Sequence, residues 1–128
     1  MIALKVVILA LAVGASLLGL RLWRRPPRLA RVELASIGAT GPAIVQFGTT
    51  HCAPCKRARP VLERAARSTG LEFVDVDLEA HPELASRYGI RSVPVIVVTD
   101  PNGVVLGRWT ALPPDGELER LAHLARAA

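Results

Sequence analysis

Residues 46–60 read QFGTTHCAPCKRARP and hold both cysteines of the chain, Cys52 and Cys55, two residues apart. Just before them, residues 43–47 (AIVQF) form a short apolar run, the pattern of a buried strand. After Cys52 the period changes. Ala58, Val61, Leu62, Ala65 and Ala66 recur at helical spacing, with Lys56, Arg57, Glu63, Arg64 and Arg67 off that face. Gly70 suits the helix stop. The cysteines therefore stand where a strand gives way to a helix. A helix N-terminus offers unpaired N–H groups and the positive end of the helix dipole. Both favour a thiolate, the reactive form of cysteine. His51, Lys56 and Arg57 add positive potential nearby. Cys55 lies one helical turn on, close enough to close a small disulfide ring. A nucleophile with a resolving partner is the equipment of thiol–disulfide exchange.

Two other readings of the pair remain open. As a static staple, a bridge across so short a loop constrains the unfolded chain little. As half of a metal site, the pair would need His51 together with His81 or His123, yet no second ligand pair stands at motif spacing. The residues thus favour a redox couple and no metal, since C-x-x-C between a strand and a helix is a fairly specific signal. His51 itself reads equally as a modulator of the thiolate or as an exposed turn residue, and His81 and His123 read as structural or exposed.

Downstream, residues 71–77 (LEFVDVD) predict a second strand and residues 82–88 a short helix with Pro82 in its first turn. Residues 93–98 are strongly β-branched and predict a third strand. The turn signal Asp100-Pro101-Asn102-Gly103 leads into residues 104–109 as a hairpin partner. Asp115 is a candidate cap for a last helix whose Leu118, Leu121, Ala122 and Ala125 share a stripe. Helices between the early strands predict parallel crossovers, and the late tight turn predicts an antiparallel pair. The expected fold is α/β, a mixed central sheet with helices on both faces.

Upstream, residues 2–20 are apolar or small except for Lys5, enough as a helix to reach about 28 Å, close to the hydrocarbon thickness of a bilayer. Trp23 is a candidate interfacial anchor, and Pro26-Pro27 predict the helix end. The basic balance is local. Residues 1–31 carry +6 and residues 32–128 carry −1, which gives the net +5. The charge thus describes a membrane-flanking arm and not a nucleic-acid surface, and no nucleic-acid partner is expected. A cleaved signal peptide is the rival reading, but the apolar run continues past the small residues at 12–16 and the strongest charge follows it. Arg21, Arg24, Arg25 and Arg28 outweigh Lys5, which by the positive-inside rule puts the C-terminal part in the cytoplasm. The expected organisation is an anchor over residues 1–21, a basic tether over 22–41 with a short helix or strand near residues 32–37, and a folded domain over 42–128.

Four landmarks in order, AIVQF, HCAPCK, YGIRSVP over residues 88–94 and DPNG over 100–103, make residues 43–124 resemble the thioredoxin family. Pro60, five residues after the second cysteine, matches the kink proline of that family's helix. The resemblance implies a thioredoxin-like fold in which Cys52 attacks substrate disulfides and Cys55 resolves. It also implies a cis peptide at Val93-Pro94, facing the cysteines where substrate backbone pairs. Several positions depart from the family. His51 stands where tryptophan is usual, and Ala53-Pro54 stand where Gly-Pro is usual. Gln46 stands at the buried acid, and Asp75 stands where lysine is frequent, as a candidate proton acceptor for Cys55 should it reach that sulfur. The implied activity is that of a membrane-tethered reductase of protein disulfides, with disulfide-containing proteins and an electron-donating reductase as partners. No Gly-rich nucleotide loop is present, so no bound cofactor is expected. The alternatives are a tethered extracytoplasmic reductase of the cytochrome c maturation type and a docking or metal-handling module that only binds.

Overall fold

A computed structural model describes residues 1–23 and 29–128; Arg24, Arg25, Pro26, Pro27 and Arg28, with the predicted helix end among them, lie outside the described residues. Helix α1 spans Ile2–Trp23 and buries none of its residues. At about 1.5 Å per residue its 22 residues reach some 33 Å, long and apolar enough to cross a membrane.

The folded unit is built on four strands in the order β2-β1-β3-β4: β1 is Ala43–Gly48, β2 Glu72–Asp77, β3 Val95–Thr99 and β4 Val105–Trp109. Strand β1 pairs parallel with β2 and antiparallel with β3, and β3 pairs antiparallel with β4. The α2 helix (Ala53–Thr69) supplies the parallel crossover, α3 is Pro82–Tyr88, and α4 is Glu117–Ala127. The crossover predicted through α3 is not parallel. A parallel return must carry the chain back along a strand of about 20 Å, and seven helical residues rise only about 10 Å. The chain instead enters β3 at the end where β2 finishes. Strand β3 also starts two residues later than predicted, after the cis peptide Val93-Pro94, because proline has no N–H to give a ladder.

Alternation along β1 divides the core between the two faces of the sheet. Ala43, Val45 and Phe47 meet Val76, Leu84, Tyr88, Val95 and Val97 on one face, where Phe47 and Tyr88 pack with ring centroids 5.8 Å apart. Ile44, Ile96 and Val98 meet Leu62, Ala66, Leu118, Leu121 and Ala125 of α2 and α4 on the other. Val61 departs from the predicted stripe and is 39% exposed, because it lies roughly a quarter-turn off the centre of the buried set Cys55, Ala58, Leu62, Ala65, Ala66 and Thr69. Asp115 does not cap α4. Gly116 is the cap residue, with φ +83°, and it sets the Asp115 carboxyl one position too early.

Much of the stretch predicted as tether is packed. Leu29, Val32 and Ala39 are buried in the core on the α3 face. Val32 N–H donates to the Gly103 carbonyl at 2.8 Å, Val105 N–H donates to the Ala30 carbonyl at 3.0 Å, and Arg31 bridges to Val104. A single 3₁₀ turn, Leu34–Ile37, follows, where Glu33 N–H donates to the Tyr88 hydroxyl at 3.0 Å. The segment is a strap across the β3–β4 turn. That turn is held by Asp100, whose Oδ1 accepts from Asn102 N–H at 2.8 Å and Val104 N–H at 2.9 Å.

Candidate active site

Strand β1 ends at Gly48, four residues continue past the end of the strand, and α2 begins at Ala53 with Cys52 as its N-cap. Cys52 and Cys55 are joined by a disulfide with their Cα atoms 5.2 Å apart. The Cys55 N–H donates to Cys52 Sγ at 3.2 Å, so an orphan N–H of the first helical turn is aimed at that sulfur. This is the group that favours a thiolate on Cys52 when the bridge opens. Cys52 is 8% exposed and Cys55 1%, so Cys52 is the less deeply buried of the two.

Gly48 holds the covered sulfur. A Cβ on Gly48 would lie 2.8 Å from Cys55 Sγ and 3.3 Å from its Cβ, so the space a side chain would need is filled by Cys55. Nothing in the sequence pattern singles this glycine out, because the clash arises only once α2 is docked on β1.

The other predicted residues are arranged as follows. Ala53 and Pro54 form the exposed first turn of α2. The register Phe47↔Val95 brings the start of β3 beside the end of β1, so half-buried Val93 and buried Pro94 lie at the cysteine end of the sheet. Gln46 is fully buried, and its Nε2 donates to the Cys55 carbonyl at 3.1 Å. Asp75, its partner in the β1–β2 register, gives its carboxylate to Arg59: both Arg59 Nε and Nη2 reach Oδ2 at 2.6 Å. Asp75 therefore meets Arg59 and, at 3.5 Å, Gln46 Nε2, and its hydrogen bonds do not include Cys55. The group bonded to Cys55 is Gln46.

His51 is 87% exposed at its side chain, and its Nδ1 lies 3.2 Å from Glu79 Oε1. Thr50 Oγ1 donates to Glu79 Oε2 at 3.1 Å. Glu79 thus sets a carboxylate beside the cysteine turn, which offsets the positive potential expected from His51. Glu79 was legible in principle. Parallel neighbours bring their C-terminal loops together, and Gly48↔Asp77 ends that register. His81 pairs with Glu83 at 3.4 Å, and His123 is exposed on α4. Among the described residues no three His, Cys, Asp or Glu side chains converge on one point.

The arrangement suits two-electron chemistry: a disulfide, its less buried cysteine capping a helix N-terminus and its fully covered cysteine behind. The thioredoxin family model matches residues 32–119. The thioredoxin of Bacillus subtilis is 34% identical over 85 residues, covering 65% of this chain and 81% of that protein. That of Rhodospirillum rubrum is 30% identical over 77 residues, covering 59% and 74%. A relative from Streptomyces coelicolor is 39% identical over 71 residues, 55% of this chain, and the match spans only about half of that protein's length, 53%. Among solved structures, a mutant thioredoxin from Halobacterium salinarum superposes with a TM-score of 0.57 at 26% identity, covering 74% of this chain and 81% of that one. Chloroplastic thioredoxin z shares the fold with a TM-score of 0.60 at 24% identity, covering 74% and 85%.

Proposed function

Because this chain belongs to the thioredoxin family, we propose that it is a membrane-tethered thiol–disulfide oxidoreductase that mainly reduces protein disulfides. The observation that carries the reading is the Cys52–Cys55 disulfide at the start of α2, with the Cys55 N–H on Cys52 Sγ.

In the reduced protein the Cys52 thiolate attacks one sulfur of a substrate disulfide. A Cys52–substrate bond forms, the substrate S–S bond breaks, and the other substrate sulfur leaves as a thiolate. The Cys55 thiol gives its proton to solvent water and, as a thiolate, attacks Cys52 Sγ. The mixed disulfide breaks, the second substrate thiolate leaves, and Cys52–Cys55 closes. Two electrons pass from the dithiol to the substrate, and a partner reductase must return them. The family resemblance gives Val93 and Pro94 the role of meeting the substrate backbone. Ala53 and Pro54 shape the turn, and His51, held by Glu79, modulates the rim. Asp75 has no proton-transfer role in this scheme, because its carboxylate is committed to Arg59.

Helix α1 is the proposed anchor, uncleaved, with the folded unit on the cytoplasmic side where the charges at residues 21–31 lie. Thiols persist in that compartment, which suits a reductant. The tether enters at Leu29 and Val32, beside the β3–β4 turn. The cysteines stand at the opposite end of the strands, about 20 Å away along the sheet. Only five residues separate Trp23 from Leu29, a reach of no more than about 22 Å. On this geometry the dithiol is presented away from the bilayer, toward disulfides in the extramembrane parts of neighbouring proteins.

Insulin reduction by the full chain in detergent tests the activity. Wild type is expected to turn over with a chemical or enzymatic electron donor, and Cys52→Ser to fall to background. Undiminished reduction by Cys52→Ser would sink the exchange mechanism.

A further inference from the structure

The face of β1 that meets α2 carries Ile44, Gln46 and Gly48 in period-two alternation. Cys55 Sγ fills the side-chain space over Gly48. Gln46 is the next residue on that face, fully buried, with its carboxamide beside Cys55. Its Nε2 has two acceptors, the Cys55 carbonyl at 3.1 Å and Asp75 Oδ1 at 3.5 Å. Its Oε1 is buried and meets no donor among the described residues. A buried acceptor without a donor carries a desolvation cost that its protein does not recover.

The structure holds the disulfide state, in which Cys55 Sγ bears no hydrogen. Reduction takes two electrons and two protons and converts the bridge into two thiols. The S–H that appears on Cys55 is a weak donor, formed on the residue whose backbone carbonyl already holds the Gln46 carboxamide.

We propose that Gln46 sets the redox poise of the pair: its Oε1 goes unmet in the disulfide and accepts the Cys55 S–H in the dithiol. The inference rests on the redox reading of Cys52 and Cys55. Gln46 is a positioning residue here. It passes no electrons, and a neutral carboxamide takes no proton from the thiol. Its Nε2 bond goes to the Cys55 backbone, which does not depend on the state of the sulfur, so that bond cancels between the two states. The oxygen does not cancel. It favours the dithiol and makes the pair more oxidising than it would be with an apolar residue at 46.

The full chain in detergent, equilibrated against graded dithiothreitol ratios, supplies the test. In Gln46→Leu the disulfide loses its unmet acceptor and the thiol loses its partner. The dithiol is then expected to be a stronger reductant by about three- to tenfold in the equilibrium constant. The stability difference between the oxidised and reduced proteins should move by the same factor in favour of the oxidised one. An unchanged constant, with both forms destabilised alike, would make Gln46 an ordinary packing residue and overturn the inference, as would a shift in the opposite direction. Gln46→Met serves if the leucine variant does not fold. In a Cys52→Ser background, the infrared S–H stretch of Cys55 should lie at lower frequency with Gln46 present than with Gln46→Leu; identical stretches would also contradict the proposal. A wild type with no dithiol–disulfide equilibrium would remove the redox reading itself, and this inference with it, whereas an unmoved variant removes only the role of Gln46.

Discussion

Gly48 and the two sulfurs show how far single residues reach at this site. Cys55 is covered because Gly48 leaves it room, and Cys52 is less deeply buried because it caps α2 beyond the end of β1. Gly48→Ala must move either α2 or the β1 backbone, a form of overpacking that costs about 1–3 kcal/mol. Urea unfolding should show the loss as a lowered midpoint with an unchanged slope, and an unaltered midpoint would mean that Cys55 relaxes freely. The difference in exposure predicts the order of reaction. In the reduced protein a limiting alkylating agent should modify Cys52 at least about tenfold faster than Cys55, read by peptide mass mapping; equal rates would contradict the assignment of nucleophile and resolving thiol. At this scale the sequence was partly legible. The C-x-x-C pair and Pro94 announce themselves by spacing and by resemblance. Gly48 and the Gln46 bond to Cys55 do not, because each depends on which face of β1 meets α2.

At the scale of elements, the sequence pattern found every strand and helix of the folded unit and a short element near residues 32–37, yet not that the strap around it is packed into the core. Residues 29–39 show no long apolar period, only Leu29, Val32 and Ala39 at irregular spacing, and they are buried because the β3–β4 turn offers backbone partners to Val32 and Ala30. Leu29→Ala is therefore expected to cost about 2–5 kcal/mol, as a truncation inside a core does. Val61→Ala, on the exposed edge of α2, should cost under about 1 kcal/mol. Thermal unfolding of both variants checks the contrast, and a silent Leu29→Ala would return this segment to a loose tether. Gly103 joins strap to hairpin. Its φ is +79°, and a Cβ there would run into the Val32 carbonyl oxygen, so this turn requires glycine for both conformation and space. The direction of β3 was misread for a different reason. A helix between two strands suggests a parallel return, but α3 is too short to make one.

At the scale of the whole molecule, one apolar helix and one folded unit meet through a short basic stretch, and the strap fixes which end of the sheet that stretch enters. The proposed geometry predicts that, in proteoliposomes, a spin label on Cys52 in a Cys55→Ser background gains little relaxation from lipid-borne quenchers, whereas one on Asn102→Cys in a chain lacking both native cysteines gains much more. Equal quenching at both positions would contradict the outward-facing dithiol. The central claim is that Cys52 and Cys55 form a reducing couple, and redox titration of the full chain against dithiothreitol and glutathione tests it most directly. One two-electron transition is expected, with a midpoint near, or modestly above, about −270 mV, the range of reducing thioredoxins. A midpoint near about −120 mV, that of a strong oxidant, or no two-electron transition at all, would contradict it.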